Sequence, residues 1–183
     1  MEPSVIALAG PNGAGKSTTG PSLVRDRLGV ATYVDADLLA RRSGGSPWAG
    51  GRTMLKELRD LAARRISFAF ETTLASRSFA PWIEGLVHGG WSFHLVFLWL
   101  PSPDLAVARV GDRVRRGGHA VPEEVVRRRY RAGLRSFFGL YRSLATTWSM
   151  YDNSGSAPRL IADQEGTVES ILWAQIQEEA GRD

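Results

Sequence analysis

Residues 9–20 read AGPNGAGKSTTG and follow the apolar run Val5-Ile6-Ala7-Leu8-Ala9. Within them, Gly10, Pro11, Asn12, Gly13, Ala14, Gly15, Lys16 and Ser17 satisfy the pattern G-x-x-x-x-G-K-[ST]. SVIALAG reads as a short buried strand ending in glycine, and the chain from Lys16 to about Leu28 as a helix closed by Gly29. In that context the pattern has a physical meaning. Glycines let successive amide N–H groups turn inward as an anion nest, and the helix N-terminus adds positive potential. Lys16 is then placed to bridge terminal phosphates, and the Ser17 hydroxyl to ligate magnesium. Gly10 through Thr18 are therefore expected to hold the β- and γ-phosphates of a nucleoside triphosphate, with Ser17 on Mg2+.

Outward from this loop, strands and helices alternate. VATYVDAD reads as a second strand, Leu38–Arg42 as a short helix, and SGGSPWAGG (residues 43–51) as the most loop-like segment. Met54, Leu55, Leu58, Leu61, Ala62 and Ile66 share a helical face over residues 52–66, and SFAFETTL reads as a third strand. A helix is expected around Ser78–Val87. SFHLVFLWL suits a strand covered on both faces. Ser102 is placed to cap a helix with Pro103 in its first turn, ending at Gly117-Gly118. From Pro122 a long helix carries Val126, Tyr130, Leu134, Phe137, Tyr141 and Leu144 at steps of three and four. A strand pair near WSMYD and RLIAD precedes a last helix from about Val168 to Glu179. The expected fold is α/β and three-layered: a mostly parallel sheet of five or six strands, helices on both faces, and a helical lid. Such sheets bind ligands beyond the carboxyl ends of their strands.

The composition bounds the function. With 183 residues, 43% of them hydrophobic, the chain suits one well-buried core, so residues 1–183 are expected to form a single domain with its lid at about 109–130. Cysteine is absent, which excludes disulfides, thiolate metal sites and cysteine nucleophiles. No run reaches the roughly 18 apolar residues of a membrane span, and the first residues lack a basic leader, so a cytoplasmic protein is expected. Of 23 basic residues only Lys16 and Lys56 are lysine. In a chain that otherwise uses arginine, one of them stands where a compact ammonium is chemically needed.

The groups facing the loop decide where a phosphoryl goes. Asp35 and Asp37 end the second strand, two apart and so on one face. A carboxylate there can accept a proton from a substrate hydroxyl, while the alternative for Asp37 is to cap the next helix. Glu71, Thr72 and Thr73 close the third strand, where Glu71 can hold magnesium through water or bind a substrate hydroxyl, and Arg77 lies four residues beyond Thr73. Ten arginines fall within 109–142, among them Arg113, Arg115, Arg116 and Arg127-Arg128-Arg129, on two helices flanking GGHAVP. Two basic helices joined by a Gly-containing turn make a lid able to bring guanidinium groups to a transferring phosphoryl. His119, in that turn, is a candidate substrate contact or a hinge residue.

GPNGAGKST, DAD at the end of the second strand, FETTL at the end of the third and RVRRGGHAVPEEVVRRRY together resemble the zeta toxin family of P-loop kinases over roughly residues 5–130. The resemblance implies a doubly wound P-loop kinase fold, use of ATP and magnesium, and phosphorylation of a hydroxyl, in characterised toxins that of UDP-N-acetylglucosamine. It implies Lys16 and Ser17 as phosphate and magnesium residues, and Asp37 as catalytic base. It implies Glu71 and Thr73 as substrate contacts and Arg113, with Arg109 or Arg128, as lid arginines; Asp35, Arg77 and His119 join the candidate substrate contacts from the reading of the residues themselves, and Arg128 is taken with Arg113 as catalytic. An antitoxin partner is a further implication. GGH stands here before AVP where those toxins carry an arginine, a departure in the lid.

Alternative readings are another small-molecule kinase, for a nucleotide or an antibiotic, and a nucleotide-hydrolysing regulatory ATPase. The N-K-x-D segment of GTPases is absent. Nucleic acid is a less favoured partner, because the aromatics of 109–142 fall on the apolar stripe and not among the arginines.

Overall fold

The structure, a computed structural model, describes residues 2–20, 29–34 and 47–182, with only the backbone of 47–52. Among the described residues six strands form one sheet: β1 (Ser4–Ala9), β2 (Thr32–Val34), β3 (Phe68–Thr72), β4 (Ser92–Trp99), β5 (Thr147–Asp152) and β6 (Arg159–Asp163). Their order is β2-β3-β1-β4-β5-β6. The first five run parallel and β6 is antiparallel to β5. This is the α/β sheet of six mostly parallel strands that the alternating pattern predicts.

The helices are α1, described over 16–20, α2 (Pro47–Ala63), α3 (Ala80–His88), α4 (Pro103–Arg115), α5 (Glu123–Ser136) and α6 (Ser170–Gly181). The expected cap of α4 is present: Ser102 Oγ accepts from the Leu105 amide at 3.1 Å, satisfying an otherwise orphaned N–H. One boundary differs from expectation. Residues 47–51 open α2 instead of closing a loop, since proline at a first helical position loses no hydrogen bond and carries a helical φ. The two glycines after it lower helix propensity, but tertiary packing of Met54 and Leu58 in the core outweighs propensity.

Val5 to Ala9 are all 0% exposed, so β1 is covered on both faces: Val5, Ala7 and Ala9 enter one core, Leu8 a second, and Ile6 a small cluster with Val30 and Ala69. Val5, Ala7 and Ala9 pack with Met54, Leu58, Ile83, Phe137, Tyr141 and Ile176; Leu8 packs with Leu98, Ala106, Val110, Val126 and Tyr130. The long helix from Glu123 serves both. Val126 and Tyr130 belong to one core, Leu134 and Phe137 to the other, so α5 passes around the carboxyl edge of the sheet. It continues as a π-helical turn, Phe137–Tyr141, and ends with Arg142–Leu144. The stripe read as one continuous helix thus contains a register change, beside which the Tyr141 hydroxyl donates to the Ser76 carbonyl at 2.7 Å.

At the far end, α6 packs against β6 and α5, and its Trp173 reaches Trp148 of β5. Trp148 and Trp173 stack with centroids 5.4 Å apart and planes 13° from parallel. The Arg142 guanidinium lies 5.4 Å from the Phe138 ring, 5.5 Å from Trp148 and 6.0 Å from Trp173.

Candidate active site

The carboxyl ends of β1 and β3 are neighbours: Leu8 pairs with Glu71 and Ala9 with Thr72. This register brings the loop of residues 10–15 beside the acidic end of FETTL. Gly10, Gly13 and Gly15 have φ of 142°, 81° and 82°, values closed to most side chains. Gly10 also has no room, because a Cβ there would lie 2.3 Å from the Leu98 carbonyl oxygen of β4.

Lys16 is 9% exposed and arches back over the loop, its Nζ donating to the carbonyls of Gly10 and Pro11 at 2.8 Å each. An ammonium held by two main-chain oxygens at the mouth of an amide-lined loop is a preformed anion site. Next to it, Ser17 Oγ donates to Glu71 Oε2 at 3.0 Å, and the Tyr33 hydroxyl donates to Glu71 Oε1 at 2.8 Å. The hydroxyl and carboxylate are hard oxygen donors, suited to magnesium, which keeps several waters and takes few protein ligands. The donor set therefore fits nucleoside triphosphate with Mg2+. Sequence reading placed Lys16, Ser17 and Glu71 in one cleft, and the structure brings them together. Tyr33 it missed; the signal lay in its place near the end of the second strand, one residue before Val34.

Beyond Glu71 the backbone is strained. Leu74 has φ 53° and is 2% exposed, a bulky side chain held in the left-handed region by burial. Its amide donates to Thr72 Oγ1 at 3.0 Å, so one of the two threonines is a turn-capping hydroxyl. Thr73 is half-buried at the same edge and Arg77 is exposed. Asp35 and Asp37 lie outside the described residues.

Against this geometry the comparisons with known proteins fall into place. No family model matches the chain. An uncharacterized protein of Haemophilus influenzae is 27% identical over 135 residues, which is 71% of this chain and 94% of that protein. Among solved structures, a chain of the PezAT chromosomal toxin–antitoxin system of Streptococcus pneumoniae matches with TM-score 0.63 at 16% identity, over all of this chain and 80% of that one. The AvrRxo1-ORF1:-ORF2 complex with ATP matches with TM-score 0.72 at 15% identity, over 96% of this chain; the chain spans 64% of that one, just under two thirds. Shikimate kinase from Acinetobacter baumannii, in complex with shikimate, matches with TM-score 0.53 at 23% identity over 100% of this chain and 97% of that one. The chain shares the fold of these three structures.

The arginines of α4 and α5 separate into distinct environments. Arg109 donates to the carbonyls of Asn153 and Ser154 at 2.8 and 2.6 Å. Arg113 donates from Nη2 to the His119 carbonyl at 2.8 Å, holding the turn between the helices, while His119 itself is exposed. Arg127 is paired with Asp104 and Glu123 at 2.6 and 2.7 Å. Arg128 is exposed and lines an outer groove with Glu124, Arg131 and Arg135. Its neighbour Arg129 points the other way, with Nη1 3.5 Å from Asn12 Oδ1 in the phosphate-binding loop. Sequence reading named Arg128 and passed over Arg129. Helical geometry separates them: Val126, Tyr130 and Leu134 set the buried face, Arg129 stands 100° from Tyr130, and Arg128 stands 200° away. No helix among the described residues is long and apolar enough to cross a membrane.

Proposed function

We propose that this protein is an ATP-dependent phosphotransferase that moves the γ-phosphoryl group of ATP to a hydroxyl of a small molecule. The observation that carries the reading is Lys16 arched across the loop beside the Ser17–Glu71 pair, at adjoining strand ends. Gly10 through Thr18 hold the phosphates, with Lys16 on the terminal ones. Ser17, with Glu71 nearby, would hold Mg2+, which neutralises phosphate charge when bound.

Asp37 is assigned as proton acceptor from its position at the end of the second strand. In the transfer, the acceptor oxygen forms a bond to the γ-phosphorus as the bond from that phosphorus to the bridging oxygen breaks. ADP leaves with the electron pair, and the hydroxyl proton passes to the Asp37 carboxylate. Glu71, Thr73, Asp35, Arg77 and His119 are the candidate substrate contacts. The α4–α5 hairpin acts as the lid, in which Arg113 and Arg128 are the lid arginines read from the sequence, and Arg129 is the one that reaches the loop. The chain works as one kinase domain in the cytoplasm.

Two observations bear on the acceptor. The zeta-toxin resemblance of FETTL and the lid string favours a sugar nucleotide such as UDP-N-acetylglucosamine, with an antitoxin as partner. The near-complete mutual coverage with shikimate kinase, 100% and 97%, favours a compact site for a smaller hydroxylated metabolite. A screen of ATP consumption over sugar nucleotides, nucleosides, hydroxy acids and antibiotic alcohols tests the proposal. One acceptor that raises consumption and gains a phosphate supports it; slow hydrolysis indifferent to every acceptor would replace it with a regulatory ATPase.

A further inference from the structure

Among the described residues two polar or charged side chains are buried: Lys16 and, in the turn after β5, Asn153 at 5% exposure. Burying an amide is costly unless its hydrogen bonds are made. Asn153 Nδ2 donates to the Ala14 carbonyl, in the phosphate-binding loop, at 2.6 Å across 139 residues of sequence. Its own backbone is fixed from two directions. The Asn153 amide donates to the Trp99 carbonyl at 3.0 Å, extending the β4–β5 ladder by one residue, and Arg109 grips the Asn153 and Ser154 carbonyls.

A planar trans peptide points its C=O and N–H in opposite directions, and no described peptide is cis. Pinning the Ala14 oxygen on Asn153 therefore turns the Gly15 N–H away from Asn153, toward the concave side of the loop. Glycine at position 15 is part of the same device: a Cβ there would lie 2.7 Å from Asn153 Nδ2 and would push the amide off its acceptor. We propose that Asn153 is a positioning residue, whose side-chain amide aims the Gly15 N–H at the bound phosphates while Arg109 holds Asn153 in place. The inference rests on the phosphotransfer reading and deepens it. It also gives the β5–β6 turn and α4 a shared role in shaping the loop.

The test uses the full 15N-labelled chain, titrated with Mg-ATP and separately with inorganic pyrophosphate, following the Gly15 amide resonance and the dissociation constant. The wild-type Gly15 signal should move on binding either anion. Asn153→Ala, and the isosteric Asn153→Asp, which offers no donor and faces the Ala14 oxygen with charge, should bind about tenfold or more weakly, the worth of roughly one hydrogen bond. Both should also blunt the Gly15 shift while other loop amides still respond, a signature that general loosening would not give. Should either variant fail to fold, the unmodified chain still decides: the Asn153 side-chain NH2 protons should exchange slowly with solvent. Exchange as fast as at an exposed amide, or an unchanged Gly15 shift and affinity in the variants, would overturn the positioning role alone. A wild-type chain that bound neither anion would overturn the phosphotransfer reading with it.

Discussion

Gly133 of α5 stands against the Thr73 carbonyl, so close that a Cβ at position 133 would lie 2.3 Å from that oxygen. The helix that carries Arg129 is thereby set by direct contact with the end of the strand that carries Glu71. Gly133→Ala gains about 1 kcal/mol of helix propensity but drives a methyl into main chain, where overpacking costs about 1–3 kcal/mol. It should lower the melting temperature and ATP turnover together. Gly85→Ala in α3, with nothing near its added Cβ, should raise the melting temperature by the propensity gain alone. Thermal melts of the two variants check the pair; a stabilised Gly133→Ala would contradict the contact.

Lys16 and Asp37 have separable duties in the proposed reaction. Lys16→Ala removes the charge that meets the terminal phosphates and should weaken Mg-ATP binding as well as abolish transfer. Asp37→Asn should leave ATP affinity near that of wild type and lower turnover by about 10²–10⁴, the usual worth of a general base. Calorimetric ATP titration beside steady-state rates separates them, and full activity of Asp37→Asn on the true acceptor would remove the base from Asp37.

Adjacent arginines should behave differently. Arg129→Gln, near Asn12, should reduce turnover, whereas Arg128→Gln, on the outer groove, should change it little. Equal losses would place both in the closed site and restore the assignment made from sequence.

His94 on β4 has its Nδ1 2.7 Å from Thr147 Oγ1 on β5, and burial pushes its pKa below the ordinary 6.5. As pH falls through about 6.5 the unfolded chain takes up a proton that the folded chain still refuses. The unfolded state then binds more protons, so stability falls with pH from there to the lower folded value and levels off beneath it. Melting temperatures of wild type and His94→Gln across that window check this, and the variant should show the shallower decline.

The loop, the strand before it and the start of the helix after it, residues 16–20, were legible, because a phosphate cradle imposes glycine, lysine and hydroxyl at fixed spacing; the rest of that helix, to about Leu28, lies outside the described residues. The parallel sheet followed from the alternation of elements. What stayed hidden depends on tertiary context. Arg65 occupies a left-handed position, φ 52°, at the end of α2, with the next amide, that of Ile66, donating to the Leu61 carbonyl at 3.1 Å. That is a helix stop usually written with glycine. Leu74 sits in the same region for the sake of its burial. Asn153 has no local signature at all: one amide at the end of a strand becomes meaningful only when β5 is set beside β4 and the loop. Arg129 was within reach of a helical wheel, once the buried face of α5 was fixed.

The stacked Trp148 and Trp173 lie one on the strand β5 and one on the helix α6. Two indoles in near-parallel contact couple their electronic transitions, which makes the pair a built-in optical gauge: detachment of the terminal helix would uncouple the chromophores while the phosphate-binding loop, on the other side of the sheet's centre, went unchanged.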